Sequence, residues 1–140
     1  MLQINYVAVF VAAVAAFVVG FLAHGPIAGK LWMRLANVHM TGNEKMSDMY
    51  GKMLWNFLAN VVTAYALAVV YLFASTSSFG GGPSIWNGIF SGLLVWFGFL
   101  ATATSIDVIW MGKSSKLWFF ELCSSLIVMV AMGVIIAALK

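Results

Sequence analysis

Four long apolar runs dominate the chain, at residues 4–23, 54–74, 85–106 and 117–139. The first three contain no charged residue, and the fourth contains only Glu121. Each run meets the roughly 20 residues that a helix needs to cross about 30 Å of hydrocarbon. The runs are continuous rather than alternating, and backbone groups in lipid must be hydrogen-bonded internally, so helices are favoured over a barrel. The pattern predicts an all-α integral membrane four-helix bundle, with one domain over residues 1–140.

The segment between the first two runs predicts a short amphipathic helix at the membrane interface. After Gly25-Pro26 ends the first run, apolar residues return at spacings of four, four and three, with polar residues on another face. The sequence Thr41-Gly42-Asn43-Glu44 then matches a capping box, so the second span is expected to begin as a helix before it enters lipid. The apolar set is Ile27, Leu31, Leu35 and Val38, and the polar set is Lys30, Arg34 and Asn37.

The distribution of charge indicates how the spans are oriented. The chain is 64% hydrophobic and 8% charged. Six of its seven basic residues lie in the loop between the first and second runs or in the loop between the third and fourth. Because cytoplasmic loops carry the excess of Lys and Arg, both loops are expected in the cytoplasm. We therefore predict a multi-pass protein of the cytoplasmic (inner) membrane with both termini on the non-cytoplasmic side. Contacts with lipid headgroups explain the net charge of +3, so no nucleic-acid partner is expected.

Small residues recur at intervals of four in three of the spans. In lipid such stripes let two helix backbones approach closely, which is the basis of much helix association there. Packing inside the bundle and pairing of protomers would both use them. The stripes are Ala8, Ala12, Ala16 and Gly20 in the first span, Gly88 and Gly92 in the third, and Gly133 and Ala137 in the fourth.

Three polar residues, Asn56, Asn60 and Thr63, share one face of the second span at spacings of four and three. One interpretation is structural, with each side chain hydrogen-bonded to a neighbouring helix. The other is a polar track for a small solute. Beyond Thr63 the span offers only Tyr65 and Tyr71 as polar groups, so a pocket or half-channel fits this track better than an open pore.

Two carboxylates lie near the ends of the third and fourth spans. Glu121 is about one turn inside the fourth span, and Asp107 ends the third. A carboxylate inside a membrane is a candidate for a proton- or cation-coupling role. The structural alternative is an ion pair with Lys113, Lys116 or Arg34, for which Glu121 lies close enough to the interface.

His24 ends the first span between Ala23 and Gly25, which have little side-chain bulk. Space beside an imidazole suits an axial ligand of haem or a chlorophyll. An interfacial histidine bonded to a headgroup or a backbone carbonyl is the simpler alternative. His39 is the only other histidine, and no Cys or carboxylate has a metal-ligand spacing to either. No metal site and no resident cofactor are expected.

The sequence carries no motif of enzyme chemistry. It has no nucleophile motif, no glycine-rich phosphate loop and no paired-histidine helix, so we expect a protein that is not an enzyme. The single cysteine, Cys123, excludes an internal disulfide. Its place within the fourth span predicts a buried, inert thiol.

Several short motifs resemble one family over nearly the whole chain. They are Asn5 before the first span, Gly25-Pro26, Gly29-Lys30, Trp32-Met33 and Trp96-Phe97-Gly98-Phe99. In these the chain resembles the small bacterial four-span membrane proteins of domain-of-unknown-function family 1761. The resemblance implies an integral membrane protein of unassigned activity. That family usually has Trp-Tyr where this chain has Ala23 and His24, and the change opens a gap where a ligand, a lipid chain or a partner helix could lie.

Three functional hypotheses follow from these features. The first is a structural or accessory membrane component that packs through its small-residue faces, as a homo-oligomer or as a subunit of a larger membrane complex. The second is a small proton- or cation-coupled transporter that uses the polar face of the second span and Glu121. The third is a haem- or pigment-binding subunit that uses His24. Membrane lipids are expected partners in each case.

Overall fold

The computed structural model describes residues 3–39, 45–77 and 81–139, and only the backbone of residues 46 and 48. Four stretches are long and apolar enough to cross a membrane, at Tyr6–Ile27, Met49–Thr76, Ile85–Trp110 and Ser115–Ala138. The predicted all-α four-span fold is confirmed. The helices are α1 (Tyr6–Leu22), α2 (Gly29–Ala36), α3 (Met46–Thr76), α4 (Ile85–Val95), α5 (Thr102–Trp110) and α6 (Ser115–Ala138).

The link between the first two spans contains α2, the short helix that the sequence predicts there. It is shorter than the apolar pattern indicated, because Ile27 belongs to the end of the first span and Val38 lies beyond the helix. Asn37 ends α2 in the left-handed conformation, with φ at 53°, and its N–H is donated to the Met33 carbonyl. The next span begins as a helix at Met46, ahead of its apolar run. The capping box at 41–44 lies outside the described residues.

Two of the spans contain a π-helical segment. The first, Ala23–Ile27, continues α1 and includes Pro26. Because proline has no N–H and its ring crowds the preceding turn, a regular α-helix is not maintained there. The second, Trp96–Ala101, joins α4 to α5 within the third span. A π-helical turn changes which side chains face the bundle, and such turns are frequent at functional sites.

The bundle packs around small side chains. α6 contacts α1, α3 and α4, while α3 contacts α1 and α4. Small residues make up much of the core, and Leu67 and Met132 are its largest fully buried apolar side chains. Large apolar side chains such as Phe73, Trp86 and Phe97 are exposed instead. This arrangement suits a protein whose surrounding solvent is lipid, since close backbone contact rather than burial of large side chains holds its helices together.

Hydrogen bonds from two tryptophans connect the third and fourth spans. Trp96 donates its indole N–H to the Leu122 carbonyl and to Ser125 Oγ, each at 3.0 Å. Trp118 donates to Thr104 Oγ1, also at 3.0 Å. These bonds satisfy indole groups that would otherwise be unpaired in an apolar environment.

The prediction of a buried thiol at Cys123 was wrong. Leu122 and Ser124, its neighbours on either side, are both buried in the bundle. Cys123 itself is exposed and unpaired. Successive residues of a helix point in different directions, so Cys123 faces outward from α6.

Candidate functional site

A cleft of about 330 Å³ opens between α1 and α3, near the end of the bundle that carries α2. We call it the His24 cleft. Side chains added at Gly20 or Gly25 would meet nothing within 4 Å of their Cβ atoms, so the two glycines leave this space free. The cleft is lined by Ala16, Phe17, Gly20, Phe21, His24, Gly25, Met53, Asn56, Asn60 and Val128.

The imidazole of His24 has a defined orientation in the cleft. Its Nδ1 lies 3.0 Å from the carbonyl oxygen of Gly20, one turn earlier in the chain. A carbonyl oxygen only accepts hydrogen bonds, so Nδ1 carries the proton. The second ring nitrogen, Nε2, is thereby left as the acceptor of the neutral ring. His24 is exposed, so a bound group would have access to this atom.

Two aromatic side chains contact the His24 ring. Trp32, on α2, has its ring centroid 5.7 Å from that of His24 at an interplanar angle of 78°. Phe120, on α6, lies at the same distance with an angle of 85°. Edge-to-face contacts of this kind are favourable arrangements of aromatic rings. They connect the end of the first span to α2 and α6.

The polar face of α3 contributes two carboxamides to the cleft. Asn56 and Asn60 both line it, and Asn60 Nδ2 donates to Asn56 Oδ1 at 3.4 Å. Thr63 donates to the Ala59 carbonyl at 2.9 Å and does not line the cleft. These hydrogen bonds stay within α3, unlike the interhelical bonds of the structural interpretation. Farther along the same face of α3, Ala64 and Leu67 are apolar and buried in the core, so the polar face does not continue beyond Thr63.

The two carboxylates form a separate group around Lys113, which we call the carboxylate cluster. Lys113 Nζ lies 2.5 Å from Glu121 Oε2 and 3.9 Å from Asp107 Oδ2. Of the three predicted cationic partners, Glu121 therefore pairs with Lys113. Neither carboxylate lines the His24 cleft. Apart from Thr63, which lies in neither, the polar residues singled out in the sequence thus occupy two sites rather than one continuous path.

The small-residue stripes are used almost entirely within the chain. Gly20 is the exception, since it is half-buried and borders the His24 cleft. A Cβ added at Gly92 would lie 2.6 Å from the Met129 carbonyl oxygen, so α4 and α6 are in backbone contact. The buried members of the stripes are Ala8, Ala12, Ala16, Gly88, Gly92, Gly133 and Ala137.

The sequence contained little information about the partners of His24. Phe120 is distant from it along the chain, and Trp32, although near in sequence, is also a typical interfacial aromatic residue. In the described part of the chain, no three His, Cys, Asp or Glu side chains gather as a metal ion would require. The cleft therefore offers one imidazole nitrogen and two carboxamides as its polar groups.

Fold and site define a multi-pass helical membrane protein with a lateral cleft. A family model described as a protein of unknown function, DUF1761, matches residues 7–137. The chain belongs to this family, as its short motifs predicted. No curated protein and no solved structure matches it.

Proposed function

We propose that the protein is a non-catalytic accessory component of a larger membrane complex, and that a transmembrane helix of a partner subunit occupies the His24 cleft. The observation that carries the proposal is the cleft itself. It is concave, it lies where the chain departs from the family's usual Trp-Tyr pair, and it holds the Asn56 and Asn60 carboxamides. Amide side chains in lipid stabilise helix contacts through hydrogen bonds worth about 0.6–2 kcal/mol each.

The use of the small residues supports a foreign partner over self-association through those stripes. Seven of the eight stripe residues are buried within the chain, so they are not free to pair two protomers. Gly20 is the remaining one, and it borders the cleft. A partner helix that approaches Gly20 would meet the backbone of α1 closely, as in other small-residue contacts.

The separation of the polar groups supports an accessory role over transport. A coupled transporter requires its ionisable group to communicate with the substrate path. Glu121 is paired with Lys113, outside the cleft. Beyond the cleft, the polar face of α3 ends at the buried apolar residues Ala64 and Leu67, so it offers no path for a solute.

A photo-crosslinking amino acid shows whether a protein or a lipid occupies the cleft. It is placed at Phe21 or Met53, which line the cleft, and at the matched controls Val18 and Leu54, which are exposed on the same helices outside it. We expect one discrete protein adduct from the two cleft positions and lipid adducts alone from the controls. Gly20→Leu fills the cleft and is expected to abolish that adduct, whereas Gly98→Leu, also in open space, leaves it unchanged.

A native mass spectrum and an absorption spectrum of the gently extracted protein complete this test. A foreign subunit at stoichiometric mass in a colourless sample is the expected result. A homo-oligomer without foreign protein, with only lipid adducts from the cleft positions, contradicts the proposal. A Soret band that disappears in His24→Ala would instead favour the cofactor hypothesis, for which the Nδ1 hydrogen bond to Gly20 supplies the orienting contact that ligating histidines usually have.

The orientation belongs to the same proposal. We propose that the protein lies in the cytoplasmic membrane with both termini outside. The positive-inside rule supports this, because Lys30, Arg34, Lys45 and Lys52 lie between the first two apolar runs, and Lys113 and Lys116 lie between the last two. Alkaline phosphatase fused after residue 140 is expected to be active, and the same reporter inserted after Gly112 inactive. The opposite pattern would overturn the orientation without affecting the fold.

A further inference from the structure

Two buried hydroxyl groups on α3 have no hydrogen-bond partner among the described residues. They belong to Tyr71 and Ser75, each only 5% exposed. A buried polar atom without a partner is unfavourable and uncommon, and an ordered water molecule is a frequent explanation. Ser75 is four residues after Tyr71, so its hydroxyl can turn to the Tyr71 carbonyl of its own helix. The phenol of Tyr71 has no such local acceptor, and its position needs another explanation.

A small, partly open cavity adjoins Tyr71. It has a volume of about 30 Å³, and its lining includes Gln3, Asn5, Ala8 and Ala68 as well as Tyr71. A water molecule requires a cavity of about 10–15 Å³, together with two or more polar partners. The cavity therefore has room for one or two water molecules, and Asn5 and Gln3 contribute polar side chains to the same lining as Tyr71.

Asn5 is already bonded in a way that leaves it able to bind one further group. Its Oδ1 accepts from the N–H groups of Val7 and Ala8 at 3.0 and 3.3 Å. Its Nδ2 donates to the Leu139 carbonyl at 2.5 Å. A carboxamide has two N–H donors, so one remains. Asn5 thus caps α1, contacts the end of α6, and borders the cavity beside α3.

We propose that this cavity is a structural water site, in which a water molecule accepts from Asn5 Nδ2 and bonds to the hydroxyl of Tyr71. The volume excludes a lipid group, and the cavity has no charged lining residue that would attract an ion. Tyr71 lies five residues before the end of α3, about 8 Å along the helix, so the site is close to the surface of the bundle. The water connects α3 to the contact between α1 and α6. This inference is independent of the proposed function.

Removal of the Tyr71 hydroxyl tests whether the cavity holds a water molecule, because the thermal midpoint is expected to fall only if it does. In a hydrated cavity, Tyr71→Phe removes a satisfied hydrogen bond and leaves the water with one partner fewer, so the thermal midpoint is expected to fall by about 3 °C. In a dry cavity the same change removes an unpaired polar group, so the midpoint stays the same or rises. Tyr65→Phe is the control, because Tyr65 is 44% exposed; its midpoint is expected to stay within about 1 °C of the parent.

A midpoint for Tyr71→Phe that equals or exceeds that of the parent protein would overturn the inference. A second measurement does not depend on stability. A high-resolution structure of the parent protein is expected to show one water within about 3.2 Å of the Tyr71 phenol oxygen. An empty cavity in that structure would equally reject the site.

Discussion

Replacement of Gly133 by valine is expected to lower the free energy of unfolding by about 3 kcal/mol, the upper part of the range for overpacked cores. A Cβ added at Gly133 would overlap the carbonyl oxygen of Gly88. The conflict is between a side chain and backbone, so no rotamer change relieves it. α6 and α4 would have to separate, because their backbones are in contact at this point. Helix content followed by circular dichroism against SDS mole fraction in mixed micelles measures the change.

Gly51→Val is the matched control for this substitution. Gly51 lies on α3, is exposed, and has nothing within 4 Å of an added Cβ. Valine has a somewhat better helix propensity than glycine, so the control is expected to be neutral or slightly stabilising, by at most about 0.5 kcal/mol. Equal losses at Gly133 and Gly51 would show that the contact between α4 and α6 does not hold the bundle together.

Substitution of Lys113 by methionine is expected to lower the free energy of unfolding by about 1–2 kcal/mol. Lys113 neutralises Glu121 at 2.5 Å and lies 3.9 Å from Asp107. The side chains of Lys113 and Glu121 are 23% and 33% exposed. Exposed ion pairs contribute about 0.2–1 kcal/mol, and breaking a fully buried pair costs about 3–5 kcal/mol. A half-buried pair should lie between these values.

A double-mutant cycle isolates the contribution of the pair. Lys113→Met combined with Glu121→Gln removes the unpaired charge, so the double variant is expected to be at least as stable as Lys113→Met alone. Lys116→Met is the control, because Lys116 is exposed and forms no ion pair among the described residues; its expected effect is below about 0.5 kcal/mol. Strict additivity of the two single changes would contradict a direct interaction between Lys113 and Glu121.

The partner of Glu121 illustrates what the sequence left open at the carboxylate cluster. Position in the fourth span identified Glu121 as a residue that needs a cation, and three basic residues lay within reach of the same interface. Choosing between them depends on the turn at 111–114, where Gly112 has a φ of 69°. That conformation returns the chain so that Lys113 meets both carboxylates. A local backbone geometry of this kind is permitted by glycine but not specified by it.

At the His24 cleft, too, the sequence predicted some features and left others to the tertiary structure. The small residues on either side of His24 predicted free space beside its ring, and the resemblance to the family implied that an aromatic pair is missing there. The contact of His24 with Phe120 joins α1 to α6, which are distant along the chain. The side of α3 that carries Asn56 and Asn60 reaches the cleft because of how α3 packs against α1. No periodicity in either segment contains that information.

The sequence by itself determined that the chain crosses the membrane four times, where each span lies, that a short helix follows the first span, and to which family the chain belongs. These properties follow from local composition, because a continuous apolar stretch has one stable form in lipid, a helix long enough to span it. Only the tertiary structure decided which helices touch, that the glycines of α4 and α6 meet each other, and that the polar residues separate into a cleft and a carboxylate cluster. Those outcomes depend on the rotation and separation of whole helices, which many weak contacts across the bundle set together.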